Sequence, residues 1–105
     1  MEIQLVRYRH RAWGIDGYLR VNGVKICDTV EHPSRYKPTG LYEVTLHQNP
    51  FRRGDGALAN KTGEIVVGEY ALPGVVIRSG DVYTRLYDRL KKEWKRNHEV
   101  WLRVV

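Results

Sequence analysis

The chain has 105 residues, 42% apolar and 29% charged, with a formal net charge of +6 and a pI near 9.7. Such a length makes one domain, residues 1–105, able to withdraw roughly two-thirds of its unfolded surface from water, and the composition excludes wholesale disorder. A single cysteine, Cys27, excludes an internal disulfide framework and any zinc site built on thiolates, and no metal or other cofactor is expected. No apolar run approaches the roughly 20 residues that span a bilayer. Arg7, Arg9, His10 and Arg11 break up the N-terminal segment before the apolar region of a signal peptide could form, so the expected location is the cytoplasm. The positive charge favours an anionic partner. It is spread over Arg7/Arg9/Arg11, Arg52/Arg53 and Lys91/Lys92/Lys95/Arg96, the pattern of a solvated basic surface rather than of a binding tail.

Ile3 to Tyr8 alternates with period two and predicts an opening strand, Ile3, Leu5 and Arg7 on one side, Gln4, Val6 and Tyr8 on the other. Tyr18-Leu19-Arg20-Val21 and Val24-Lys25-Ile26-Cys27 flank Asn22-Gly23, the dipeptide that best tolerates two positive φ values, and predict a type I′ hairpin. Leu19 and Val21 are expected to share a face with Val24 and Ile26. His32-Pro33-Ser34 stops the second strand, since proline removes a ladder donor. After the turn Tyr36-Lys37-Pro38-Thr39-Gly40, a strand is expected from Leu41 to His47, with Leu41, Glu43, Thr45 and His47 on one face. Residues 48–61 show no periodicity and contain Pro50, Gly54, Asp55 and Gly56, which predicts a loop of a length that is commonly functional or mobile. Glu64 to Tyr70 is the most strand-like run of the second half, broken by Leu72-Pro73-Gly74 before Val75-Val76-Ile77. Ser79 is the expected N-cap of a helix over about 80–95, with Asp81 in its first turn and an i, i+4 stripe of Val82, Leu86 and Leu90 joined by Tyr83, Tyr87 and Trp94. Val100 to Val105 closes as a strand. The expected fold class is α+β, a mainly antiparallel sheet or small barrel of about six short strands with one C-terminal helix.

Candidates for chemistry are few. Cys27 invites a nucleophilic reading, but a free cysteine in a hairpin strand normally packs as a small apolar side chain. Glu31 and His32 could pair as a carboxylate and a base at a strand end. His47 closes a strand and could reach a cleft beside Glu64 or Asp55 as one half of an acid/base pair. Arg52 and Arg53, in Phe51-Arg52-Arg53-Gly54-Asp55-Gly56, have the planar forks that grip carboxylate or phosphate. Tyrosine and tryptophan interleave with Lys91, Lys92, Lys95 and Arg96 as on nucleic-acid stacking surfaces, although their spacing is that of a core stripe.

One ordered set of segments carries a resemblance. It runs Tyr18-Leu19-Arg20-Val21-Asn22-Gly23, Cys27-Asp28-Thr29-Val30-Glu31, Pro38-Thr39-Gly40-Leu41-Tyr42-Glu43-Val44, Gly63-Glu64-Ile65-Val66-Val67-Gly68 and Tyr83-Thr84-Arg85-Leu86. From about Gly17 onward the chain resembles a family of uncharacterised bacterial and phage proteins whose longer members carry a histidine followed by Gly-Cys, similar to the active-site pattern of L,D-transpeptidases. On that analogy Glu64 stands where the nucleophilic cysteine would be, with His47 as the upstream histidine, and a carboxylate does not replace a thiolate in that acyl transfer. The resemblance implies a non-catalytic relative, cytoplasmic or delivered with a phage or larger assembly, that uses the cleft around His47, Arg52, Arg53, Asp55 and Glu64 to bind an anionic ligand or cell-wall fragment. Two other classes stay open at this level: a hydrolase of peptidoglycan or another anionic polymer using Glu64 and His47, and a nucleic-acid or protein-interaction module using the basic helix.

Overall fold

The opening alternation becomes a ten-residue strand, β1 (Glu2–Arg11), in a computed structural model that describes residues 1–54 and 62–105. It pairs antiparallel with β2 (Gly14–Val21), which turns into β3 (Val24–Glu31). Asn22 and Gly23 have φ of 52° and 78°, the two positive values that a type I′ turn requires, so the expected hairpin forms. Its faces differ from expectation. Leu19 pairs with Cys27 but Arg20 with Lys25, so Ile26 is an extra residue, a β-bulge that resets the alternation. Val24 is left 65% exposed at the tip, and Cys27 rather than Ile26 takes the buried place beside Leu19.

The next strand, β4 (Gly40–Glu43), is shorter than the sequence suggests. Val44 turns into the core, its N–H donating to Val100 O at 2.8 Å, and Thr45 and Gln48 close a turn on each other, so the alternation stops before His47. The aperiodic stretch that follows contains a two-residue strand, β5 (Phe51–Arg52), paired parallel to β6 (Ile65–Leu72). β6 folds back into β7 (Val75–Ile77) before the helix α1 (Ser79–Lys95), and β8 (Trp101–Val104) closes the chain. The sheet runs β4-β8-β1-β2-β3-β6-β5, with β7 paired to β6. Its pairings are antiparallel except β1 with β8 and β5 with β6. The α+β class is as expected, with a curled mixed sheet and one C-terminal helix.

Val82, Leu86 and Leu90, one stripe of α1, pack into the concave face against Ile3, Leu5, Leu19, Val67 and Leu102. Removing each such side chain from water stabilises the fold by about 1.5–3 kcal/mol. Ser79 is not the cap. Arg78 takes the boundary in a left-handed conformation with φ 54°, and Ser79 opens the helix with its hydroxyl donating to Val67 O and accepting from the Gly54 N–H at 2.8 Å. That hydroxyl therefore ties the helix start to β6 and to the end of the β5 segment. Trp94 does the same at the other end, its indole N–H donating to Val44 O at 3.1 Å.

Candidate cleft between the β4 loop and the start of β6

β4 and β6 lie far apart in the sheet order, and the segments that follow β4 and precede β6 meet over its edge. Between them is a cleft of about 450 Å³ whose lining includes Lys37, Tyr42, His47, Arg52, Thr62 and Glu64. Strand alternation explains part of this. Phe51 is fully buried, so Arg52, its neighbour in β5, turns outward into the cleft. Glu64 immediately precedes β6, and its carboxylate lies 3.7 Å from Arg52 Nε. Arg52 Nη1 also donates to Phe51 O at 2.9 Å, which orients the guanidinium. Lys37, from the turn before β4, joins the lining. Its ammonium sits 4.6 Å from the Tyr42 ring centroid, and the Tyr42 hydroxyl donates to Pro38 O at 2.7 Å. Gly63, with φ 78° and its N–H on Arg35 O at 3.0 Å, lets the chain pass close under Lys37, where a Cβ would come 3.1 Å from the ammonium.

The structure thus brings His47, Glu64 and Arg52 into one lining. It separates the other candidates. Arg53 points the opposite way from Arg52, its guanidinium lying against Gly80 at the start of α1, where a Cβ would meet Nη2 at 3.1 Å. Asp55 lies outside the described residues. Glu31 shares the core-facing side of β3 with Cys27 and is 0% exposed, held by Arg7 through bonds of 2.7 and 2.8 Å. Its neighbour His32 lies beyond the strand and accepts the Ser34 N–H on Nδ1 at 3.0 Å. The Glu31 and His32 pair expected at the strand end is therefore absent, because burial commits the carboxylate to Arg7. Lys91, Lys92, Lys95 and Arg96 are exposed along α1. The rings beside them are used internally: Tyr83 stacks on Tyr87 at 5.9 Å, Tyr87 meets Trp94 edge-on at 6.1 Å, and Lys91 lies over Tyr87 at 5.2 Å. Sequence reading missed Lys37 and Tyr42. The available signal was the turn at Pro38-Thr39-Gly40, which brings a lysine and a tyrosine to the same wall.

Cys27 is remote from this lining. Burial, with the Asp28 carboxylate second, pushes its thiol up to about 12. An unfolded thiol titrates near ~8.5, so above about pH 8.5 the unfolded chain has released a proton that the fold keeps. The stability contributed by this group is complete below that pH and falls as pH rises towards 12. Iodoacetamide at about pH 8 is expected to alkylate the folded protein roughly three orders of magnitude more slowly than the unfolded chain, in line with the thiolate fractions. Cys27→Ala should flatten part of the alkaline loss of stability. Equal alkylation rates in the two states would show the thiol to be open.

Among the described residues no three His, Cys, Asp or Glu side chains gather as a metal site, and no helix is long and apolar enough to cross a membrane. No protein-family model, curated protein or solved structure matches the chain.

Proposed function

We propose that the cleft between Lys37 and Arg52 is a non-catalytic binding site for a short charged peptide of the cell-wall type, one that presents carboxylates and an amine. The observation that carries this reading is the mixed charge of the lining. Lys37 and Arg52 offer two cations, while Glu43 and Glu64 supply carboxylates within the same 450 Å³. Such a surface complements a zwitterionic ligand better than a uniformly anionic polymer. Arg52, oriented by Phe51 O and Glu64, presents its planar fork to a ligand carboxylate, and Lys37 serves as a second point charge in the same lining. No cysteine lines the cleft, and Cys27 is both buried and neutral, so acyl transfer through a thiolate has no nucleophile here. The resemblance to bacterial and phage proteins with a transpeptidase-like pattern supports a wall-derived ligand and a protein that travels with a phage or mobile element.

Calorimetric titration with a stem tetrapeptide tests the reading. Arg52→Ala and Lys37→Ala are each expected to weaken binding about tenfold, the effect of one charge-assisted hydrogen bond, and Glu64→Gln, which removes one carboxylate of the lining and the charge beside Arg52, should weaken it by up to about tenfold without abolishing it. The peptide should be recovered intact. Its cleavage by the wild type, lost by orders of magnitude in Glu64→Gln, would establish a hydrolase instead.

A further inference from the structure

A second site shares no residue with that cleft. The seam between β3 and α1 is open beside the bulge at Ile26. There Ile26, Cys27, Val82 and Leu86 wall a cavity of about 230 Å³ that Arg85 and Arg89 complete. A further hollow of about 280 Å³ adjoins it, sharing Ile26, Cys27, Val82 and Arg85 and reaching Lys25, Asp28 and Glu69. The charges at that outer end satisfy one another: Lys25 lies 2.7 Å from Asp28, and Arg78 3.9 Å from Glu69. Arg85 and Arg89 do not. They stand one helical turn apart on the same face of α1, and among the described residues neither has a hydrogen-bond or ion-pair partner. Two guanidiniums that no carboxylate engages among the described residues, at the mouth of an apolar cavity, complement one kind of occupant.

We propose that this cavity binds a small amphipathic anion, an alkyl or aryl chain carrying a carboxylate or phosphate head. The head lies between Arg85 and Arg89, whose forks take up its oxygens, and the chain runs inward over Ile26, Val82 and Leu86. Cys27, neutral with its thiol pushed up to about 12, serves as one more apolar wall. A water takes up about 30 Å³ of liquid, so 230 Å³ accepts on the order of eight non-hydrogen atoms, which selects a short chain. So small a volume favours a small molecule over a macromolecule.

The test is an amide-detected NMR titration of the full chain with octanoate, with octyl phosphate and with acetate. Octanoate or octyl phosphate should shift the amides of Cys27, Val82 and Leu86 saturably, and the tighter of the two identifies the head. Acetate should bind at least about tenfold more weakly, because it leaves the apolar wall empty. The double variant Arg85→Gln, Arg89→Gln, changed only at exposed positions, should keep the wild-type spectrum elsewhere and lose affinity about tenfold or more. The proposal is overturned if neither amphiphile saturates, if acetate binds as well as octanoate, if the double variant binds unchanged, or if the shifts fall on the Lys37 and Arg52 cleft.

Discussion

Arg7→Ala is expected to destabilise the fold by about 3–5 kcal/mol, the usual effect of stripping one partner from a buried ion pair. Glu31 is 0% exposed and Arg7 15%. Arg7 Nε and Nη2 grip the two carboxylate oxygens at 2.8 and 2.7 Å, and Nη2 also donates to Lys37 O at 2.7 Å. The Tyr36 ring covers the guanidinium at 5.1 Å. Removing Arg7 would leave a carboxylate in the core without its counter-charge, in a domain whose total stability is of order 5–15 kcal/mol. Burying the pair is itself costly, so Arg7→Met combined with Glu31→Leu should recover most of the loss. Urea denaturation of the three proteins decides the matter: a midpoint for Arg7→Ala equal to wild type would contradict the role given to the pair. The variant should also weaken ligand binding, because the Lys37 carbonyl, and with it one wall of the cleft, is anchored to this guanidinium.

Phe51→Ala should be as damaging, at about 3–5 kcal/mol for emptying an aromatic site in the core. Phe51 is 0% exposed and belongs to the main apolar cluster. It is also the side chain that fastens the β5 segment. The surrounding hydrogen bonds, Ile65 N–H to Pro50 O at 2.8 Å and Phe51 N–H to the Asn49 side-chain oxygen at 3.0 Å, depend on its seat. Phe51→Leu, which refills most of the volume, should lose much less. Because Arg52 follows directly, Phe51→Ala is expected to abolish peptide binding in the fraction that stays folded, while Phe51→Leu retains it. Chemical denaturation paired with titration of each variant would show a mere spacer if Phe51→Ala lost less than about 1 kcal/mol.

The parts of this fold that were legible in the sequence are those that local chemistry specifies. Asn22-Gly23 predicts its own turn, and the stripe of Val82, Leu86 and Leu90 predicts the buried side of the helix. Arg7 shares parity with Ile3 and Leu5, but apolar residues on both sides of that strand left its buried face open, and a guanidinium on a core face has a place only once Glu31 is known to hold it. What escaped the sequence depends on neighbours distant in the chain. The bulge at Ile26 exchanges its face with Cys27 through pairing with β2. β5 exists because two residues find β6 alongside them, which no two-residue pattern could announce. Glu64, His47 and Arg52 were nominated by type and position, and the crossing of the β4 and β6 ends unites them. Lys37 joins them from the turn before β4, and Arg53 leaves them because alternation sends consecutive side chains to opposite sides.

The central claim is that the cleft holding Lys37, Arg52 and Glu64 binds a charged peptide without transforming it. Its most direct test is an amide-detected NMR titration of the intact protein with a stem tetrapeptide, with the peptide's own signals followed in the same samples. Saturable shifts are expected at Lys37, Arg52, Gly63 and Glu64, with an unaltered peptide after prolonged incubation. Shifts that fail to saturate, that fall outside the cleft, or that accompany new peptide fragments would contradict it.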